Sequence, residues 1–166
     1  MRKIKNIVIA GSSGGHILPA IKYLNNLSKI REPNEILFIT NEIGKNYTNK
    51  IQSKNINKLI VSSKNKFLFI LRIFLNLFLF FITHRKITLI GFGGFITTPV
   101  LLMSKFANIF FFASNKIFIH EQNFIYGLAN KVNFYISKNV FITFPKDKMH
   151  RKEILVGNFF LEKNQL

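Results

Sequence analysis

The chain has no cysteine and no tryptophan, and only 7 of its 166 residues are Asp or Glu. Without cysteine there are no disulfides, no thiolate metal sites and no Cys nucleophile. The shortage of acid is uneven. From Ile43 to His120 there is no Asp or Glu, while Lys45, Lys50, Lys54, Lys58, Lys64, Lys66, Arg72, Arg85, Lys86, Lys105 and Lys116 all fall within that stretch. With 24 Lys and Arg in all, the formal net charge is +17. Compositional drift of the source genome is the alternative reading of this excess, since Lys, Asn, Ile and Phe are abundant together. The clustering predicts a strong positive field over one half of the molecule and an anionic partner: a phosphorylated ligand, an anionic membrane or nucleic acid. The start, "MRKIKNIVIAG", is too short in apolar residues for a signal-peptide core and reads as a mature cytoplasmic start.

What the chain does have is apolar material, 48% of residues, enough for the core of one domain. Strands are predicted over Ile4–Ala10, Glu35–Thr40, Asn57–Ser62, Ile87–Gly91, Lys116–Glu121 and Asn139–Thr143, each rich in Ile, Val or Phe and bounded by Gly, Asn or Ser. Helices are predicted between them, over Ile17–Ile30, Lys45–Lys54, Phe67–Thr83, Thr98–Phe106 and Tyr126–Ser137; Pro19 and Pro99 sit in first turns. Strict alternation of this kind implies an α/β fold, a Rossmann-like doubly wound parallel sheet covered on both faces. Ligands of such sheets sit at the carboxyl ends of the strands, where strand order reverses.

The run Phe67–Ile82, "FLFILRIFLNLFLFFI", is the most apolar part of the chain. As a helix it spans roughly 24 Å against a hydrocarbon core of about 30 Å. Asn65, Arg72, Asn76 and Thr83 make a narrow polar stripe on it, and a charge near the bilayer centre costs about 2.5–3.5 kcal/mol. A membrane span and an ordinary buried helix remain open. The excess apolar face, flanked by Lys64, Lys66, Arg85 and Lys86, favours a helix lying in the surface of an anionic membrane, with Phe67, Phe74 and Phe78 in the patch.

Three clusters follow strands. Gly11-Ser12-Ser13-Gly14-Gly15-His16 has neither dinucleotide-loop nor Walker spacing, yet adjacent glycines before a helix let backbone N–H groups approach an anion. A plain strand-to-helix turn is the alternative. His16 could act there as a general base, its ordinary pKa lying near working pH. Gly91-Phe92-Gly93-Gly94 repeats the architecture, and the two loops together could hold a diphosphate. His120-Glu121-Gln122-Asn123 places consecutive hydrogen-bonding side chains at a strand end, which are costly to bury without partners. One His and one adjacent Glu do not make a metal site, and no cofactor is implied.

In order and spacing, "GSSGGHILPA", "GFGGFITTP", "HEQNFIYGLANK", "FITFP" and "VGN" resemble the N-terminal half of the MurG family of GlcNAc transferases. The resemblance implies the N-terminal half of a GT-B glycosyltransferase, over residues 1–158, with 159–166 as a truncated tail. It implies inverting transfer of GlcNAc from UDP-GlcNAc to the MurNAc C4 hydroxyl of lipid I, the undecaprenyl-diphosphate-linked acceptor, giving lipid II for peptidoglycan at the cytoplasmic face of the plasma membrane. Carried over by motif, Ser13, Gly14 and Gly15 line the donor-sugar and diphosphate region, and Asn123 contacts the donor. Gly91, Gly93 and Gly94 help bind the acceptor diphosphate. His16 is the first candidate base and Glu121 the second.

Three departures qualify the resemblance. The family loop usually reads Gly-Gly-Thr-Gly-Gly-His, against Gly-Ser-Ser at Gly11 to Ser13 here. After Val156-Gly157-Asn158 the family continues Pro-Val-Arg, whereas this chain has Phe159-Phe160-Leu161. No donor domain follows, so one wall of a cleft is expected to be inactive alone. Two alternatives to an enzyme half are a non-enzymatic membrane and acceptor-binding subunit of a split transferase, with the donor domain on a separate polypeptide, and a degraded remnant. A nucleic-acid-binding module would explain the charge but none of the loops.

Overall fold

The computed structural model describes residues 4–62 and 66–157. Strands β1 (Asn6–Ile9), β2 (Ile36–Asn41), β3 (Asn57–Val61), β4 (Thr88–Gly91), β5 (Lys116–Glu121), β6 (Asn139–Ile142) and β7 (Glu153–Leu155) form one sheet in the order β3-β2-β1-β4-β5-β6-β7. Every described pairing is parallel. The order reverses between β1 and β4, which lie side by side with Ile9 opposite Gly91. This is the doubly wound α/β arrangement that the alternation predicts.

Strand residues of alternating parity feed two cores, as the pleat requires. Ile7, Ile9, Leu89, Ile117 and Ile119 pack with helices α3 (Lys66–Thr83), α4 (Thr97–Phe110) and α5 (Leu128–Ile136), through Leu77, Phe81, Val100 and Leu101 among others. Val8, Phe38, Ile90 and Phe92 pack on the opposite face with Ile17, Ile21 and Leu24 of α1 (Gly14–Ile30). Parallel strands buried on both faces therefore read as unbroken apolar runs.

The fold departs from expectation in four places. A helix over Lys45–Lys54 does not form. There is a single turn, α2 (Glu42–Lys45), whose Gly44 N–H is capped by Asn41 Oδ1 at 3.1 Å, and a separate 3-10 turn over Thr48–Lys50. The polar run between Ile43 and Ile51 has too few apolar residues for an amphipathic face. Helix α1 begins at Gly14, so Gly14, Gly15 and His16 form its first turn rather than a preceding loop. Helix α4 runs on to Phe110. The short edge strand β7 was not expected.

Of the proposed surface helix, Lys64 and Asn65 lie outside the described residues, as do the side chains of Lys66, Phe67, Arg72 and Asn76. Ile73, Leu77 and Phe81 are buried against the sheet and α4. The other side exposes Leu68, Leu71, Phe74, Leu75 and Leu79, and Phe78 is half-buried, stacked 5.0 Å from Phe74. Arg85 and Lys86 are exposed just past its end. Among the described residues no helix is long and apolar enough to cross a membrane. Phe159–Leu161, where the resemblance departs, lies outside the described residues.

Candidate functional site

The carboxyl ends of β1, β4 and β5 are neighbours in the sheet, so the three clusters that follow them meet. The first two interlock through backbone. Gly11 N–H donates to Gly93 O at 3.3 Å, and Phe92 N–H donates to Ile9 O at 2.8 Å. Ser12 Oγ accepts Phe95 N–H at 3.0 Å. Gly93 and Gly94 have φ of +105° and +87°. A Cβ on Gly93 would lie 2.7 Å from His16 Nδ1, and one on Gly94 would lie 2.3 Å from Gly11 O. Both glycines are thus required by close approach as well as by backbone conformation. Gly91 is different: it is buried in β4, and a Cβ there would strike the Thr97 methyl group at 2.2 Å.

Ser13 is the N-cap residue of α1, and its carbonyl accepts the N–H groups of His16 and Ile17, each at 3.1 Å. Its hydroxyl makes no capping bond and, with Gly15, is exposed at the positive end of the helix dipole. A Cβ on Gly14 would lie 3.0 Å from the Tyr47 hydroxyl. Tyr47 thus closes the side of the turn away from β4.

Glu121 is 1% exposed and gathers the third cluster. Its Oε1 accepts Asn123 N–H at 2.9 Å and Asn123 Nδ2 at 3.1 Å. Its Oε2 accepts Gly127 N–H and Asn130 Nδ2, both at 3.0 Å. Asn130 also donates to His120 O at 3.0 Å. A carboxylate with both oxygens engaged by donors clamps the 121–127 turn onto α5 and orders Asn123. Asn123 itself is exposed.

Gln122, from the same turn, meets His16 Nδ1 at 2.9 Å. His16 is half-buried and lines a cavity of about 610 Å³ with Gly93, Gly94, Phe95, Gly127 and Asn130. His120 lies behind it, 1% exposed, its ring 5.1 Å from that of Phe92 and its Nε2 3.4 Å from Thr143 Oγ1. Burial, and then the charge of His16, push the His120 imidazole down to about 4. Two histidines this close cannot both carry a proton cheaply, and the buried one stays neutral.

The structure therefore brings together Ser13, Gly14, Gly15, His16, Gly93, Gly94, Glu121 and Asn123, and sets Gly91 behind Thr97. Sequence reasoning missed Ser12, Gln122 and Asn130 as individual actors. Gln122 and Asn130 lie inside the "HEQNFIYGLANK" run, but their partners are set by the tertiary turn. Ser12 has φ of +74°, the left-handed region, at the position where the resembling family carries glycine. That coincidence was a readable signal. Among the described residues there is no group of three or more His, Cys, Asp or Glu able to hold a metal.

Comparison with known proteins bears on this geometry. The glycosyltransferase family 28 N-terminal domain matches residues 7–142. A UDP-N-acetylglucosamine–N-acetylmuramyl-(pentapeptide) pyrophosphoryl-undecaprenol N-acetylglucosamine transferase from Wolbachia sp. subsp. Brugia malayi is 35% identical over 160 residues, covering 93% of this chain and 44% of the relative. The Geotalea daltonii protein of the same name is 32% identical over 178 residues, covering 90% and 45%. The crystal structure of Acinetobacter baumannii MurG matches with a TM-score of 0.69 at 19% identity, over 91% of this chain and 45% of that one. A Methanocaldococcus jannaschii UDP-GlcNAc 2-epimerase matches at 0.59 with 11% identity, over 85% of this chain and 40% of that one. Both structures show a shared fold. The chain spans less than half the length of these relatives. A family match running from β1 through β6, and so across all three strand-end clusters, makes this chain a member of glycosyltransferase family 28 through that family's N-terminal domain.

Proposed function

We propose that the chain is the acceptor-side half of an inverting transferase that moves GlcNAc from UDP-GlcNAc to the MurNAc C4 hydroxyl of an undecaprenyl-diphosphate-linked acceptor, forming lipid II. The observation that carries this reading is the interlocking of two glycine-rich turns from adjacent strands around His16, at the point where strand order reverses. Ligands of open α/β sheets bind at that place. Relatives that carry the name of such a transferase are 35% and 32% identical over 93% and 90% of this chain.

In this reading His16 is the general base for the acceptor hydroxyl, because its imidazole lines the cavity while both oxygens of Glu121 already accept hydrogen bonds from the fold. Glu121, the second candidate, instead holds Asn123 in place to meet the donor sugar. The amides of Gly14 and Gly15 at the head of α1, with the Ser13 hydroxyl, face the diphosphate region. Gly93 and Gly94 shape the acceptor side, and Gly91 supports them through Thr97. The donor nucleotide is held mainly by a second domain.

The outer face of α3 carries the membrane function: Phe74, Leu75 and Leu79 enter the headgroup region while Arg85 and Lys86 meet anionic lipid. Phe106, Ile109, Phe110 and Phe112, at the end of α4 and just beyond, extend the exposed apolar surface. The chain is then peripheral at the cytoplasmic face of the plasma membrane.

The test is turnover of lipid I to lipid II with the chain combined with the C-terminal part of a relative. His16→Ala should lower kcat by about 10²-fold or more. Unchanged turnover would remove His16 from the mechanism.

A further inference from the structure

Gln122 reaches His16 from the end of a different strand, its carboxamide 2.9 Å from Nδ1. His16 Nε2, by contrast, makes no hydrogen bond to the described residues, and the ring lines the cavity. With the amide nitrogen placed on Nδ1, Gln122 Oε1 is buried with no hydrogen-bond partner. A half-turn of the amide exchanges its oxygen and nitrogen without changing its shape; it supplies that oxygen with an Nδ1–H donor and leaves the NH₂ in the oxygen's former place, so the partnerless atom alone does not choose between the two.

The chemistry of a base selects between the two orientations. When an imidazole takes a proton at one nitrogen, both nitrogens become donors. An amide NH₂ on Nδ1 would then set donor against donor. An amide oxygen accepts from Nδ1–H before and after proton transfer. Glutamine is also neutral, so it orients the ring without the charge a carboxylate would bring.

We propose that Gln122 is the positioning residue of His16: its carboxamide oxygen accepts Nδ1–H, fixing the tautomer that leaves the Nε2 lone pair free for substrate. This rests on the reading of His16 as the base. In the step it serves, the acceptor O–H bond breaks and the proton goes to Nε2. The oxygen electron pair forms the new bond to the anomeric carbon, and the nucleoside diphosphate leaves with the electrons of the broken glycosidic bond.

The tautomer is observable in the chain itself. Long-range ¹H–¹⁵N correlations of the ¹⁵N-labelled protein at about pH 8 distinguish a protonated from an unprotonated ring nitrogen. His16 is identified among the four histidines by the signal lost in His16→Ala. The expected wild-type pattern is a protonated Nδ1 and an unprotonated Nε2. Gln122→Glu, which can only accept, should keep that pattern. Gln122→Leu should shift the ring to the Nε2–H form that free histidine prefers. A wild-type ring with Nε2 protonated, or an Nδ1–H form that persists in Gln122→Leu, would overturn the proposal. Failure of the base assignment is recognised separately, by unchanged turnover in His16→Ala.

Discussion

Ser12 occupies a backbone conformation that costs an L-residue about 1–2 kcal/mol, and its hydroxyl recovers part of that through Phe95 N–H. Ser12→Ala keeps the strain and loses the bond, so it should lower unfolding free energy by about 1 kcal/mol. Ser12→Gly loses both and should fall within about 0.5 kcal/mol of wild type, with urea denaturation as the measure. Equal losses in the two variants would contradict this assignment. His120 gives a second prediction. Its folded pKa of about 4 lies below the ordinary 6.5, so the unfolded chain takes up the proton first as pH falls. The stability it contributes is present above about pH 6.5 and is lost at roughly 1.4 kcal/mol per pH unit down to about pH 4. In His120→Asn the fall in urea midpoint from about pH 7 to about pH 5 should be visibly shallower than in wild type. At this scale the sequence was partly legible. Residue types at strand ends announced chemistry, but the division of labour between His16 and Glu121 depended on which carboxylate oxygens the fold had already occupied.

At the scale of elements, α3 serves two environments. Ile73, Leu77 and Phe81 are the core side, and Leu75 and Leu79, 64% and 69% exposed, are the outer side. Leu75→Asp with Leu79→Asp should leave the urea midpoint nearly unchanged, because exposed positions away from special features contribute within about ±0.5 kcal/mol. The same pair should sharply reduce co-sedimentation with anionic vesicles. Undiminished binding would place the lipid contact elsewhere. The parallel strands could be read from sequence because burial on both faces makes them unbroken apolar runs. The failure at Lys45–Lys54 came from polar, helix-tolerant composition without a periodic apolar face. Strand β7 was hidden because three residues after a strongly polar stretch have no pattern of their own. They are held by their register with Val140–Ile142 and by Glu153, which Lys146 and the Tyr126 hydroxyl engage.

At the scale of the molecule, one sheet separates two apolar cores and delivers its clusters to one end. The alternation of strands and helices and the glycine positions in the sequence foretold that layout; the interlocking of the turns, set by contacts between residues about eighty apart, could not be seen there. The net charge of +17 adds a long-range term. Binding to anionic vesicles should therefore weaken markedly between low salt and about 0.5 M salt, as the Debye length shrinks from about 10 Å at 0.1 M toward a few ångströms. Equal recovery on neutral vesicles would count against the electrostatic part.

The proposed function has separate strand ends converge on one anionic diphosphate beside His16. Its most direct test is amide chemical-shift mapping of the ¹⁵N-labelled chain titrated with a short-chain polyprenyl diphosphate. Saturable shifts concentrated at Gly14, Gly15, Gly93, Gly94, Phe95 and Asn123 are expected. Shifts confined to the opposite, amino-terminal end of the sheet, or none at millimolar ligand, would contradict it.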